Sequence, residues 1–223
     1  YAWVLVTRDR SAQAEPLLRE IVEDARRTYG PTHPDVGVAL SNLGNAVSDL
    51  PGRLTDAESA YLEAISVLRR NREAAAPELA TALNNLCSLY LKMKRWPEAR
   101  DNCAEATTLR LGALGPDHPE TSGSRLGEAL ALIRLGEYPR AEQLLRGVIQ
   151  SFTRTLGADH WRTANAEIYL GTALTQMRRY GEASTVLAHS EQALLAALGP
   201  EHARTKSAQA ARAELRQKRA AGG

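Results

Sequence analysis

Apolar residues recur along this chain at steps of three and four positions, with polar residues between them. This spacing places the apolar side chains on one face of an α-helix. Residues 77–93 give a clear example, in which the apolar face consists of Leu79, Leu83, Leu86 and Tyr90. After a short break, residues 97–114 carry a second helical pattern. The chain is therefore predicted to form pairs of amphipathic helices joined by short loops.

The breaks between the predicted helix pairs carry a recurrent motif of glycine and histidine. It reads GPTHP from Gly30, GPDHP from Gly115, GADHW from Gly157 and GPEHA from Gly199. The last three glycines are 42 residues apart, and the first interval, 85 residues, is two such periods plus one residue. Glycine after a helix and proline at the start of the next are ordinary stop and start signals, and the histidine stands where an N-cap acceptor is needed. A fixed period of this size predicts a stacked-repeat architecture.

Small and large residues also alternate at fixed repeat positions. One position early in the second helix holds Ala14, Ala57, Ala99, Ala141 and Ala183. A position midway along the first helix holds Gly44, Cys87, Ala129 and Gly171, and a large-residue position of the second helix includes Leu18, Tyr61, Leu145 and Leu187. Small side chains allow two antiparallel helices to approach closely, so the two helices of each period are expected to pack as a hairpin.

This pattern resembles the tetratricopeptide repeat, and the junction Leu114–Pro119 (LGPDHP) is similar to the kinesin-light-chain type of that repeat. The resemblance implies an all-α fold, a right-handed superhelical solenoid of antiparallel helix pairs. A β-propeller has a similar period but requires strand-rich sequence, whereas these segments are rich in Ala, Leu, Glu and Arg. HEAT-type helical repeats lack the small-residue pattern and are the remaining alternative.

The repeat register divides residues 1–223 into a single solenoid with defined units. The expected units are 1–30 (a truncated first repeat), 31–73, 74–115, 116–157, 158–199 and 200–223 (a C-terminal capping helix). Because Tyr1 aligns with the middle of a first helix, the chain is interpreted as a piece of a longer protein. The junction near residue 73 lacks glycine and histidine, and its alanine-rich sequence could extend the preceding helix.

Glu128 stands where the sibling repeats have leucine. Burying an unpaired carboxylate is costly. A rotation of this helix that brings Leu126 and Leu130 inward is therefore favoured over a carboxylate facing the groove.

Composition argues against several classes of partner. A formal net charge of +2 gives no overall attraction to nucleic acid or anionic membrane, and no apolar run reaches the ~18–20 residues of a membrane span. The arginine pairs 26–27 and 69–70 fall at predicted helix C-termini, where positive charge complements the helix dipole. Cys87 and Cys103 are interpreted as separate buried residues without metal-ligand spacing, which favours a reducing compartment. We therefore expect a cytoplasmic protein.

The histidines are the most conspicuous candidates for chemistry. His33, His118, His160 and His202 lie in loops one or two repeats apart, so they cannot converge on one ion at the ~2.0–2.2 Å that metal ligands require. His189 is interpreted as a surface or packing residue of a second helix. No nucleotide-binding loop, zinc-protease motif or nucleophile elbow occurs. We expect a protein that is not an enzyme, with no catalytic residue, metal or cofactor.

The resemblance implies a ligand groove lined by the first helix of each pair. Carried over position by position, it predicts a peptide-binding groove made of Ser41, Asn42, Asn45, Asn84, Asn85, Ser88, Lys92, Arg134, Asn165, Tyr169, Thr172 and Gln176. Asn42 and Asn85 share one repeat position, at which family members that bind peptides hold the ligand's main chain. An amide both donates and accepts hydrogen bonds, which suits that task. The alternative interpretation is a polar face that simply meets solvent.

Three functions are compatible with this module. The first is a protein-interaction scaffold that binds a peptide, with Lys92 and Arg134 favouring acidic ligands. The second is a regulatory or sensor arm of a larger bacterial signalling protein that carries a kinase, ATPase or protease domain upstream. The third is a homotypic assembly module that self-associates through the truncated N-terminal end at Trp3.

Overall fold

The computed structural model describes residues 11–221, which form ten α-helices and no β-strand. The chain divides between Ala113 and Leu114 into two compact units. The first unit contains α1 (Ser11–Tyr29), α2 (Pro34–Ser48), α3 (Leu54–Arg70) and α4 (Ala76–Lys92), and α5 (Trp96–Leu114) ends at the boundary. The second contains α6 (Pro119–Leu135), α7 (Tyr138–Leu156), α8 (Trp161–Gln176), α9 (Tyr180–Leu198) and α10 (Ala203–Ala221).

Within each unit, helices that follow one another in the chain pack together. The helix α2 packs against α1 and α3, and it also contacts α4, which opens the next repeat. In the second unit α8 packs against α7 and α9 and contacts both α6 and α10. We call α2, α4, α6, α8 and α10 the A helices, and α1, α3, α5, α7 and α9 the B helices. The predicted all-α array of helix pairs is confirmed.

The junction histidines cap the A helices. Nδ1 of His33 accepts a hydrogen bond from the backbone N–H of Asp35 at 3.2 Å, and His118, His160 and His202 make the same bond at 3.1–3.2 Å. Gly30 ends α1 with a φ of +87°, a conformation that glycine adopts without steric cost. The prediction that this motif is a helix stop and a helix cap is confirmed.

The atypical junction near residue 73 does not extend the preceding helix. Helix α3 ends at Arg70, and α4 begins at Ala76 without a side-chain cap. The Asn71 amide donates hydrogen bonds to the carbonyls of Val67 at 3.2 Å and Thr32 at 2.8 Å. The Asn71 side chain thus pairs with carbonyl groups at the end of α3, where the other junctions have glycine. This pairing stops α3.

The small and large positions of each repeat face one another. A Cβ added to Gly44 would lie 2.7 Å from the ring of Tyr61, and one added to Gly171 would lie 2.3 Å from Cγ of Leu187. The third repeat differs, because its two cysteines occupy this same pair of positions. Their Cα atoms are 5.4 Å apart and the sulfurs form a disulfide between α4 and α5. Both residues are buried as expected, but the interpretation as two separate thiols is wrong, and a reducing compartment no longer follows from them.

Glu128 takes the leucine position of its repeat. Its residue is only 9% exposed, so the expected rotation that would bring it out does not occur. Leu126 and Leu130 are half-buried, while Ala129 and Leu132 keep the repeat register with 0% exposure. The argument for rotation assumed an unpaired carboxylate, but Glu128 has an interaction partner within the protein. The helix therefore keeps its register with a carboxylate inside.

Trp3, on which the assembly hypothesis depends, lies outside the described residues. No helix among residues 11–221 combines the length and apolar character needed to cross a membrane.

Candidate binding surface on the A helices

In the first unit, Asn42 and Asn85 lie at equivalent positions of two A helices that contact each other, α2 and α4. Both residues are half-buried. Among the described residues, neither side-chain amide has a hydrogen-bond partner. A half-buried amide offers two donors and an acceptor. These two residues therefore present unused hydrogen-bonding capacity in matching register.

The other predicted groove residues of this unit are more engaged. The Tyr61 hydroxyl donates to Oδ1 of Asn45 at 2.6 Å, and burial raises the pKa of Tyr61, so the phenol remains a donor. The Ser88 hydroxyl donates to the carbonyl of Asn84, whose side chain or backbone has a further partner, and Ser41 is buried. Asn45 keeps its NH2 group for a ligand, but its carbonyl is already used inside the repeat.

Lys92 is the exposed cation at the end of α4. Its Nζ lies 3.6 Å from Oδ1 of Asp49, and both side chains are about half exposed. Exposed pairs of this kind contribute little, so a ligand carboxylate can compete for the ammonium group. Arg134, the corresponding cation predicted in the second unit, is exposed but already has an interaction partner.

In the second unit, α8 carries Asn165, Tyr169, Thr172 and Gln176. Thr172 donates to the carbonyl of Ile168 at 2.9 Å, within its own helix. Gln176 is held by α10, because its Nε2 donates to Glu214 at 2.8 Å and its Oε1 accepts from Lys218 at 2.5 Å. Helix α10 thus occupies the polar groups of Gln176, whereas Asn165 and Tyr169 remain half-buried and without a hydrogen bond among the described residues.

Several arginines connect neighbouring B helices. Arg53 and Arg95, each just before a B helix, reach back to Glu15 at 3.1 Å and Glu58 at 2.7 Å on the B helix before. Arg179 bonds to Glu142 in the same way at 2.6 Å. These arginines are more than a third exposed, so each pair adds little stability by itself. In the sequence, the glutamate and the arginine of these pairs each recur at the spacing of the repeat. That recurrence was the signal that could have revealed the ion pairs.

His189 is paired rather than isolated on the surface. Its Nδ1 lies 2.7 Å from Glu167 Oε2 on α8, and its Nε2 lies 3.1 Å from Asp159 Oδ1 in the preceding loop. The hydrogen bond with Glu167 raises the pKa of His189, while burial raises the pKa of Glu167. Two carboxylates facing both ring nitrogens stabilise the imidazolium, which donates to both. Even so, no cluster of potential metal ligands of three or more occurs in the part of the chain that the structure describes.

A cavity at the start of α8 was missed by the sequence prediction. It has a volume of about 340 Å³ and lies among the N-terminal ends of α6, α8 and α10 in the second unit. Its wall includes Trp161, the aromatic residue at which the junction motif departs from proline. Asn165 is the one predicted groove residue among those lining it.

Helix pairs of nearly fixed period, with a histidine cap on four of the five described A helices and with helices that pack onto their neighbours within each unit, define an α-solenoid repeat protein. Within that class the chain belongs to the tetratricopeptide repeat family, whose model matches residues 2–70 and 78–146, more than half of the sequence. Proteins built from these repeats generally mediate protein–protein interactions, typically as non-catalytic scaffolds.

Solved structures show the same fold at low sequence identity. A putative kinesin light chain from Podosopora anserina, with nearly identical TPR-like repeats, is 18% identical with a TM-score of 0.73, over 88% of this chain and 93% of that one. BtubC (BKLC) from P. vanneervenii is also 18% identical, with a TM-score of 0.70 over 95% of this chain and 91% of its own. A comparison with curated protein sequences returns no significant match.

Proposed function

We propose that the chain is a non-catalytic scaffold that binds a peptide segment of a partner protein along its A helices. The observation that supports this most directly is the pair Asn42 and Asn85, two half-buried amides in equivalent positions that lack partners among the described residues. Because no side chain in the described part of the chain uses these amides, a ligand main chain can replace water at both of them without breaking a hydrogen bond inside the protein. An extended peptide main chain supplies both a donor and an acceptor to each amide.

The ligand is expected to be acidic near the end of α4. Lys92 is exposed, and its contact with Asp49 at 3.6 Å is weak enough to be exchanged. Electrostatic attraction of this kind raises the association rate and makes binding weaker at high salt.

The experiment compares binding of fluorescein-labelled nonapeptides rich in Asp and Glu to the wild type and to the double variant Asn42→Ala/Asn85→Ala. Fluorescence anisotropy measures affinity, and circular dichroism checks that helicity is unchanged. Hydrogen bonds contribute ~0.5–1.5 kcal/mol each, so the double variant should bind about tenfold more weakly. Asn102→Ala serves as the control, because Asn102 lies on the B helix α5 and already donates to the carbonyl of Glu98 at 2.8 Å. Equal affinity of the double variant and the wild type would contradict the assignment of the groove.

A further inference from the structure

The residue two positions after each capping histidine changes sign along the chain. It is acidic in α2 and α6, where Asp35 and Glu120 occupy it, but it is arginine in α8 and α10, at Arg162 and Arg204. The first turn of a helix favours negative charge, because the helix dipole is positive at that end. Positive side chains at both places act against helix stability. Such a local conflict is expected where a residue serves a function.

Both arginines pack on one indole ring. The Cζ atom of Arg204 lies 4.6 Å from the centroid of the Trp161 ring, and that of Arg162 lies 5.3 Å away. The ring attracts each cation, but it does not neutralise them. Neither guanidinium forms an ion pair with any carboxylate in residues 11–221. Two uncompensated positive charges therefore share one aromatic wall.

These side chains border the cavity of about 340 Å³ in the second unit. Its apolar surface comes from Leu126 and Phe152 together with the indole. The remaining lining residues are Pro119, Glu120, Gly123 and Asn165. Glu120 also lies on this rim and has an interaction within the protein, but neither arginine forms an ion pair with it. The cavity thus combines an apolar floor with two cations that lack a carboxylate partner in residues 11–221, one half-buried amide, and Glu120 at the rim.

We infer that this cavity is the anchor point for an acidic residue of the partner segment that lies next to a bulky aliphatic residue. The carboxylate bonds to the guanidinium groups of Arg162 and Arg204, and the aliphatic side chain packs against Trp161, Leu126 and Phe152. Asn165 bonds to the main chain between them. This inference rests on the proposal that the A helices bind a peptide, and it assigns the second unit its own ligand chemistry.

The test uses a small probe that the cavity can hold, N-acetyl-leucyl-aspartate, with N-acetyl-leucyl-asparagine amide as the uncharged counterpart. Binding is followed by the indole N–H signals of the tryptophans in two-dimensional NMR spectra of the full chain. The acidic probe should shift the Trp161 signal in a saturable way and leave that of Trp96, on α5 in the first unit, unchanged. The uncharged probe should bind about tenfold more weakly or worse, since hydrogen bonds to charged groups are among the stronger ones.

The double variant Arg162→Glu/Arg204→Glu separates binding from stability. It restores the favoured charge at both helix starts, so its melting temperature should equal or exceed that of the wild type, while the Trp161 shift is lost. The control Arg72→Glu/Arg216→Glu makes the same change of net charge at two exposed arginines away from the cavity and should bind the probe normally.

Three results would overturn the inference: no shift at Trp161, equal shifts at Trp96, or full binding by the Arg162→Glu/Arg204→Glu variant. If that variant binds the acidic nonapeptides like the wild type while Asn42→Ala/Asn85→Ala does not, the anchor is wrong and the peptide-binding function stands. If the probe binds at Trp161 but no nonapeptide depends on Asn42 and Asn85, the proposed groove is wrong and the acidic site remains.

Discussion

Gly171→Ala adds a single methyl group at a place where α8 packs tightly against Leu187 of α9. The new Cβ would lie 2.3 Å from Cγ and 2.4 Å from Cδ2 of Leu187. Leu187 is 0% exposed and packs in the core of the second unit with Leu145 and Leu174, so any movement of its side chain disturbs other core residues. The two helices must therefore separate or Leu187 must leave its preferred rotamer.

The magnitude follows from two opposing effects. Overpacking a core costs about 1–3 kcal/mol, and an overlap this severe with a buried side chain belongs to the upper part of that range. Alanine gains about 0.8–1 kcal/mol over glycine in a helix interior. The net result is a loss of about 1–2 kcal/mol in the free energy of unfolding. For a chain of 223 residues this corresponds to a melting temperature lower by roughly 2–8 °C.

The matched control is Gly147→Ala on α7, where an added Cβ meets nothing within 4 Å and the backbone is helical. This variant gains the same helix propensity without the clash and should be more stable by ~0.5–1 kcal/mol. Urea unfolding followed by circular dichroism at 222 nm measures both. A second variant, Gly171→Ala/Leu187→Ala, should be less destabilised than the sum of its single changes, because the new methyl group fills part of the space that leucine leaves. The reasoning is refuted if Gly171→Ala stabilises the protein as Gly147→Ala does.

Three further predictions concern single contacts. The Cys87–Cys103 disulfide closes a loop of 16 residues, so its reduction should lower the free energy of unfolding by ~3 kcal/mol. Alkylation followed by mass spectrometry should find two free thiols only after a reductant is added. Two free thiols without reductant would contradict the bond. The pKa of His189 is raised, so the contribution of its charged form to stability is complete below the unfolded pKa of about 6.5 and is lost as pH rises through the folded pKa. The difference in free energy of unfolding between the wild type and His189→Gln should therefore be larger at pH 6 than at pH 9. A difference that does not change with pH would exclude the charged pairing. Tyr61→Phe, which removes the donor to Asn45 Oδ1, should cost ~0.5–1.5 kcal/mol in urea unfolding, and no change would show that this bond does not hold Asn45 in place.

Much of the fold could be predicted from the sequence because the residues that cap the helices and the residues that pack between them recur in several repeats. The histidine caps were predictable because the chain places histidine directly before four A helices at a nearly fixed period. The close approach of the A and B helices was predictable from small residues such as Gly44 and Gly171. Each of these contacts is local, within one repeat, so spacing along the chain determines it.

What the sequence did not give were contacts decided by three-dimensional neighbours. The disulfide was missed because a separation of 16 residues in sequence does not tell that Cys87 and Cys103 face each other. Glu128 was expected to rotate outward because its partner could not be identified. The bonds of Gln176 depend on α10 packing beside α8 so that Glu214 and Lys218 reach it. The pairing of His189 depends on two carboxylates from different elements. Whether Asn42 and Asn85 bind a peptide stays a prediction.

The central claim is that the A helices bind a peptide through the paired amides of Asn42 and Asn85. Its most direct measurement is the anisotropy titration of an acidic nonapeptide that binds the wild type, repeated with Asn42→Ala/Asn85→Ala at matched ionic strength. The structure predicts a loss of affinity of about tenfold for this variant, with helicity intact and with Asn102→Ala unchanged. Equal affinity for all three proteins would place the ligand elsewhere and contradict the claim.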